Sequence, residues 1–162
     1  MNPTKKMRVR QIERELKLPL PSVIRYCREL EREEILKKET TSEVSTYSAD
    51  RTSRKFFIAK RLFNIKSIFE SGLLDYIVKE YFNPVIVLFG SYAKGEDTEE
   101  SDIDLYVETP KKQEFSLQKF EKILNRKIQV FNYKNIKNMP NLHLRNNIIN
   151  GITINNFLEA FS

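Results

Sequence analysis

The sequence is poor in the residues that stabilise small secreted or fibrous proteins. It has one cysteine, Cys27, in 162 residues, so no disulfide can form within the chain, as is usual in a reducing cytoplasm. Its 4 glycines and 6 prolines exclude collagen-like and linker-like chains. No apolar run approaches the roughly 18 residues of a membrane-spanning helix, and the basic start lacks the apolar stretch of a secretory signal. We therefore expect a cytoplasmic protein with no membrane partner.

The charges are unevenly distributed along the chain. Apolar residues make up 40% and charged residues 31%, and the net charge is +6, which is typical of a soluble globular protein. Residues 1–66 carry 17 Lys and Arg against 9 Asp and Glu, whereas residues 67–162 carry 11 against 13. This asymmetry predicts two modules, of which the basic one would attract polyanions by counterion release.

Two short amphipathic segments open the basic module. Val9, Ile12 and Leu16 recur at helical spacing, which predicts a first helix. Prolines interrupt that pattern, and Pro21 suits the first turn of a second helix. The second helix should run to about residue 34. Two helices joined by about four residues are typical of a helix-turn-helix.

The next segment predicts a hairpin. Ile35–Lys38 is expected to form a short strand, Thr40–Ala49 a polar connection and Arg54–Ile58 the returning strand. Two helices followed by a basic hairpin resemble the winged helix-turn-helix family, and the resemblance implies that the second helix enters the major groove of DNA. The DNA-binding residues would then be Ser22, Arg25, Arg28 and Arg32 on the second helix, with Arg51 and Arg54 at the hairpin. The alternative is a solvated face of ion pairs.

Residues 61–80 are expected to form a connecting helix. Its apolar side chains fall on one face, which predicts packing against the following module. Gly72 is a point at which this helix would bend or split.

The second module contains a motif with a specific chemical meaning. The apolar run Val85–Phe89 predicts a buried strand, and Gly90 and Ser91 follow it directly. Gly90 permits a tight turn and a close approach to a phosphate. Ser91 offers a hydroxyl and an amide to phosphate oxygens, and Lys94 lies in the turn that follows.

Ten residues separate Ser91 from Asp102, which with Asp104 belongs to a second predicted strand. Residues two apart on a strand point to the same face, about 6–7 Å apart along the chain. Two carboxylates beside a phosphate site suit Mg²⁺, which prefers oxygen ligands and substrate phosphates. The intervening acidic loop Glu96–Glu100 is expected to be a solvated turn, and the single histidine, His143, is not expected to be a ligand.

The arrangement Gly-Ser, ten residues, Asp-x-Asp resembles the minimal nucleotidyltransferase family of the DNA polymerase β superfamily. The resemblance covers roughly residues 66–162. It implies that Gly90 and Ser91 bind a nucleoside triphosphate, expected to be ATP, and that Asp102 and Asp104 are catalytic ligands of Mg²⁺. Lys94 would contact phosphate or remain a solvated surface lysine.

The resemblance also implies transfer of a nucleoside monophosphate to a hydroxyl. Similar proteins act as antitoxins that nucleotidylate a partner HEPN-type toxin, so the acceptor here could be a protein hydroxyl. A template-directed polymerase is the least expected activity, because these 162 residues leave no room for thumb and finger domains. A winged domain of this kind usually reads DNA as a dimer, so a homodimer is expected.

One position departs from the family pattern. The superfamily normally has a third carboxylate on a later strand, here predicted at Arg126–Phe131, and the matching position holds Gln129. A carboxamide offers a neutral oxygen but cannot accept a proton. Glu108 lies about 13 Å further along the strand from Asp104 and is a poor substitute. A second hypothesis is therefore a DNA-binding regulator that binds nucleotide without turnover.

The expected fold class is α+β, with a small mixed sheet and flanking helices preceded by a winged helix-turn-helix domain. The predicted domains are residues 1–60 (DNA-binding), 61–80 (connecting helix) and 81–162 (nucleotidyltransferase). Further elements are predicted as helices at Phe115–Leu124 and Leu142–Asn150, with Gly151 ending the latter, and a last strand at Ile152–Ile154.

Overall fold

The computed structural model describes residues 5–41, 43–110 and 116–160. The chain divides into two compact units, residues 1–60 and 61–162. A long helix, α3 (Arg54–Glu70), begins in the first unit and ends in the second. In the described part of the chain, no helix is both long and apolar enough to cross a membrane.

The first unit consists of two helices and a hairpin. Helices α1 (Val9–Leu16) and α2 (Leu20–Arg32) are followed by strands β1 (Leu36–Thr41) and β2 (Val44–Ala49), which pair antiparallel. Val23, Cys27 and Tyr47 are buried together. Cys27 is therefore a small core residue, and burial raises the pKa of its thiol. The small core makes the unit depend on the contact between α2 and the hairpin.

The predicted hairpin is wrong in its second strand. The returning strand is Val44–Ala49, which the polar sequence predicted as a connection, and Arg54–Ile58 forms the start of α3. The helix that begins there continues without a break to Glu70, and the Ser53 hydroxyl accepts a hydrogen bond from the Lys55 amide at 3.1 Å. Because β1 pairs with Val44–Ala49, the strand preference of Phe and Ile in the following segment does not decide its structure.

The connecting segment is two helices. Helix α3 ends at Glu70, and α4 (Leu73–Glu80) follows. Gly72 precedes α4 with a φ of +75°, a conformation that glycine adopts without strain. The split at Gly72 thus occurs where the sequence indicated it.

A four-stranded mixed sheet forms the centre of the second unit. Its strands are β3 (Val85–Phe89), β4 (Ile103–Glu108), β5 (Ile128–Tyr133) and β6 (Ile152–Asn155), in the order β5-β4-β3-β6. Strand β3 is antiparallel to β4 and β6, and β4 is parallel to β5. The two central strands are therefore the run that the sequence predicted as a buried strand and the strand predicted to carry Asp104.

Both faces of this sheet are covered. On one face Ile86, Leu88 and Leu105 pack with α3, α4 and α6 (Gln118–Leu124). On the other, Val87, Phe89 and Tyr106 pack with a 3-10 helix (Ile136–Asn138) and α7 (Leu142–Ile149). Alternation along each strand fills both layers.

Most other predicted elements of this unit are present. The helix predicted at Phe115–Leu124 begins at Gln118 within the described residues, and Phe115 lies outside them. Gly151 follows α7, and its role is a close approach: a Cβ there would lie 2.7 Å from the Leu88 carbonyl oxygen. The 3-10 helix was not predicted.

Asparagines near the end of the chain hold loops in place. The Asn141 side chain accepts a hydrogen bond from the Leu144 amide at 3.0 Å and so caps α7. Asn155 donates to the Pro84 carbonyl at 2.6 Å, and Asn156 donates to the Asn83 carbonyl at 2.7 Å. These bonds fix the turn before β3.

Candidate functional site

The bend after β3 lies directly against one of the predicted acids. Strand β3 ends at Phe89, and a short helix, α5 (Gly90–Lys94), begins at the next residue. Gly90 has a φ of +74°, and a Cβ placed on it would lie only 2.2 Å from Oδ2 of Asp104. Only glycine therefore allows the backbone bend and the carboxylate to occupy adjacent positions.

Asp102 and Asp104 lie close enough to interact. Asp104 pairs across the sheet with Phe89 and is half-buried, whereas Asp102 is exposed. Burial, and then the negative charge of Asp102, raise the pKa of Asp104 above its ordinary value. The two carboxylates therefore repel each other, and a divalent cation would relieve this repulsion.

Gln129 lies beside this acid pair. Strands β4 and β5 pair in parallel, with Asp104 opposite Gln129, so the two side chains share one face of the sheet. Gln129 is exposed. The register therefore places a neutral carboxamide next to Asp104.

A third carboxylate is not part of the site in the described chain. There, no group of three or more His, Cys, Asp or Glu residues is arranged to hold a metal ion. Glu108 is engaged elsewhere: one of its oxygens accepts hydrogen bonds from the Tyr106 hydroxyl at 2.7 Å and from the Ile136 amide at 2.9 Å. The oxygen donors available to Mg²⁺ are those of Asp102, Asp104 and Gln129, a donor set that fits this ion.

The other predicted phosphate-contacting residues lie on α5. Ser91 is half-buried, one residue after Gly90, and its carbonyl accepts a hydrogen bond from the Glu96 amide at 3.0 Å. Lys94 is exposed at the last residue of α5. The structure thus brings Gly90 next to Asp104, and Ser91 is the residue that follows Gly90.

A buried polar network behind the bend was not predicted. Asp97 was expected in a solvated turn, and this is wrong, because Asp97 is 2% exposed. It accepts a hydrogen bond from Asn64 Nδ2 at 2.7 Å and pairs with Arg126 Nη2 at 3.8 Å. Asn64 also donates to the Tyr92 carbonyl at 2.8 Å. The network thereby connects α3, α5 and the turn before β5 to the loop that leads to Asp102.

The same network affects Tyr92. Burial, and then the charge of Asp97, raise the pKa of the Tyr92 phenol to about 12. The hydroxyl is therefore neutral at physiological pH, and Tyr92 serves as part of the core.

In the first unit, the predicted DNA-binding residues fall into two places. Arg25, Arg28 and Arg32 are exposed along one face of α2, beside a shallow depression of about 290 Å³. Ser22 is half-buried on the same helix. Arg51 and Arg54 were predicted at the hairpin, and this placement is wrong for both.

The position of these two arginines follows from the corrected hairpin. Arg51 lies in the turn after β2, and Arg54 is the first residue of α3. Neither belongs to β1 or β2, because the returning strand ends before them. Arg25 also pairs with Glu29 at 3.8 Å, so part of the basic face of α2 is already neutralised.

Comparison with known proteins identifies a family for the second unit. The nucleotidyltransferase domain family matches residues 73–153. A protein of Methanocaldococcus jannaschii, named as a protein adenylyltransferase, is 45% identical over 60 residues, which is 33% of this chain and 60% of that protein. The chain thus spans about 60% of the length of this curated relative. No solved structure matches the chain.

Proposed function

The chain belongs to the nucleotidyltransferase domain family, and from this premise we propose that it transfers a nucleoside monophosphate to a hydroxyl group. The donor is a nucleoside triphosphate, which we propose to be ATP. The observation that carries the proposal is the contact of the Gly90 bend with Asp104. It puts a backbone position open to phosphate next to a carboxylate suited to a cation.

Each residue of the site has a role in this proposal. Gly90 and Ser91 bind the triphosphate, and Lys94 contacts its outer phosphates. Asp102 and Asp104 hold Mg²⁺, which supplies charge neutralisation to the phosphates when bound. The acceptor oxygen bonds to the α-phosphorus, the bond to the β-phosphate oxygen breaks, and pyrophosphate leaves with that electron pair.

Gln129 determines how the acceptor proton is removed. A carboxamide cannot accept a proton, so this chain offers no general base at the position opposite Asp104. The proton of the acceptor hydroxyl then passes to water or to a base that the acceptor brings with it. We expect slow turnover on simple alcohols and faster turnover on an acceptor with its own base.

The proposed acceptor is a protein hydroxyl, as in an antitoxin that nucleotidylates a HEPN-type toxin. The name of the Methanocaldococcus jannaschii relative, a protein adenylyltransferase, supports this choice. The basic first unit would bind DNA through Arg25, Arg28 and Arg32, as a winged helix-turn-helix domain in a homodimer. Its two helices, hairpin and exposed arginines support that part of the proposal.

The direct test uses α-labelled nucleoside triphosphates, Mg²⁺ and cell extract. The full-length chain should label a protein, and the variant Asp102→Ala with Asp104→Ala should not. Glu159→Ala, which removes an exposed carboxylate outside the site, is the matched control and should label normally. Equal labelling by the wild type and the double variant would refute the proposal.

Gln129 favours a second candidate function. Without a third carboxylate, the unit would bind a nucleoside triphosphate and change the DNA affinity of the chain, with no transfer. Binding of ATP without labelling of any acceptor, together with ATP-dependent DNA affinity, would favour this regulator. ATP-independent DNA affinity in a chain that does label an acceptor would exclude it.

A further inference from the structure

An open groove of about 580 Å³ adjoins the acid pair in the second unit. One wall is the loop that ends at Asp102, and the other is the last part of α6 with the turn into β5. The charged residues that line it are Glu99, Glu100, Asp102, Glu121, Lys122, Arg126 and Lys127. Because Asp102 belongs both to this wall and to the candidate metal site, whatever occupies the groove lies next to the reacting phosphate.

The two walls of the groove have opposite charge. The charged residues of the loop are all carboxylates, whereas the α6 side contributes three cations and one carboxylate, that of Glu121. Two of those cations are already paired, Lys127 with Glu121 at 3.7 Å and Arg126 with Asp97 at 3.8 Å. A nucleic acid strand would place its phosphates against the acidic wall, at an electrostatic cost. A polypeptide with side chains of both signs complements both walls.

Arg126 adds a hydrogen-bond donor to this groove. Its side chain is only 9% exposed. Nη1 donates to the Asn125 carbonyl at 3.0 Å, and Nη2 faces Asp97. Nε is buried and has no hydrogen-bond partner in the described chain. An unsatisfied buried donor is costly, and a backbone carbonyl of a segment in the groove would be an acceptor for it after a small shift of the guanidinium group.

We propose that this groove binds the polypeptide segment that carries the acceptor hydroxyl and presents that hydroxyl at Asp102. The inference rests on the proposed nucleotidyl transfer and specifies its acceptor: a serine, threonine or tyrosine with charged neighbours of both signs. The groove is open to solvent and not enclosed, which suits a polypeptide segment better than a buried small molecule.

The test exchanges the charges of the two walls. The groove variant combines Lys122→Glu with Glu100→Lys and keeps the net charge. The control combines Lys134→Glu with Glu159→Lys, two exposed positions that do not line the groove. The acceptors are synthetic peptides with one serine, threonine or tyrosine between Lys and Glu residues, the same peptides with neutral flanks, and an RNA oligonucleotide. Label transfer from α-labelled ATP and binding of Mg²⁺·ATP are both measured.

We expect the wild type to label the charged peptides. The groove variant should lose about fivefold or more in kcat/KM, because it reverses exposed ion pairs with the peptide of up to about 1 kcal/mol each. Binding of Mg²⁺·ATP and the control variant should be unchanged. Equal labelling by wild type and groove variant, or preferential labelling of RNA or neutral peptides, would overturn the groove assignment while leaving nucleotidyl transfer intact. Mg²⁺·ATP binding with no labelled acceptor would overturn both.

Discussion

Loss of the Asp97 carboxylate should destabilise the second unit strongly. Asp97 and Arg126 are both buried, with side chains 1% and 9% exposed. In Asp97→Ala the guanidinium group keeps its charge but loses its counter-ion, and Asn64 loses an acceptor. Removing one partner of a buried ion pair typically costs about 3–5 kcal/mol. For a unit of this size, that corresponds to a fall in Tm of about 12 °C or more.

The assay must report on the second unit alone. Hydrogen exchange at the amides of β3, which is central in the sheet, provides this, because those amides exchange only when the unit opens. Urea unfolding followed by circular dichroism gives the free energy for the whole chain.

A double variant separates charge from packing. Replacing Arg126 by Met in the Asp97→Ala background removes the uncompensated charge, so the double variant should be more stable than Asp97→Ala alone. A fall in the free energy of unfolding of less than about 1 kcal/mol in Asp97→Ala would refute this account of the network. A double variant whose loss equals the summed losses of the two single variants would also refute it.

Three further predictions concern the acid pair and the bend. Gly90→Ala should abolish Mg²⁺·ATP binding in calorimetry, because its Cβ would meet Asp104 Oδ2 at 2.2 Å; normal affinity would contradict the close approach. Gln129→Asp should strengthen Mn²⁺ binding, measured by electron paramagnetic resonance, and speed transfer, since it adds a carboxylate beside Asp104; no change in either would show that the third position is not limiting. Asp104→Asn should stabilise the metal-free chain against urea at pH 7, because the raised pKa of Asp104 means that its ionised form is disfavoured in the folded state. That gain should vanish below the ordinary carboxyl pKa of 3.8, where Asp104 is protonated in both folded and unfolded chains; a gain that persists there would contradict the assignment.

The elements around the site could be predicted because their patterns are local. Val85–Phe89 is apolar throughout, and apolar residues also mark the strand that follows Asp102. The position of Gln129 beside Asp104 followed from a family pattern, and the strand register agrees with it.

The errors occur where contacts that no local sequence pattern shows decide the structure. Strand β2 is polar, and only its pairing with β1 and the burial of Tyr47 make it a strand. Asp97 is one of several acids in a row, and nothing nearby indicates that it is the buried one. Its partner Asn64 lies 33 residues earlier, so no local pattern contains the pair.

Calorimetric titration of Mg²⁺·ATP into the full chain tests the central claim most directly. If Asp102 and Asp104 form the cation site beside the Gly90 bend, the wild type and Glu100→Gln will bind with equal affinity. The variant Asp102→Asn with Asp104→Asn will then bind at least tenfold more weakly, a loss of about 1.4 kcal/mol or more. Equal affinity in the wild type and the double variant would contradict the account.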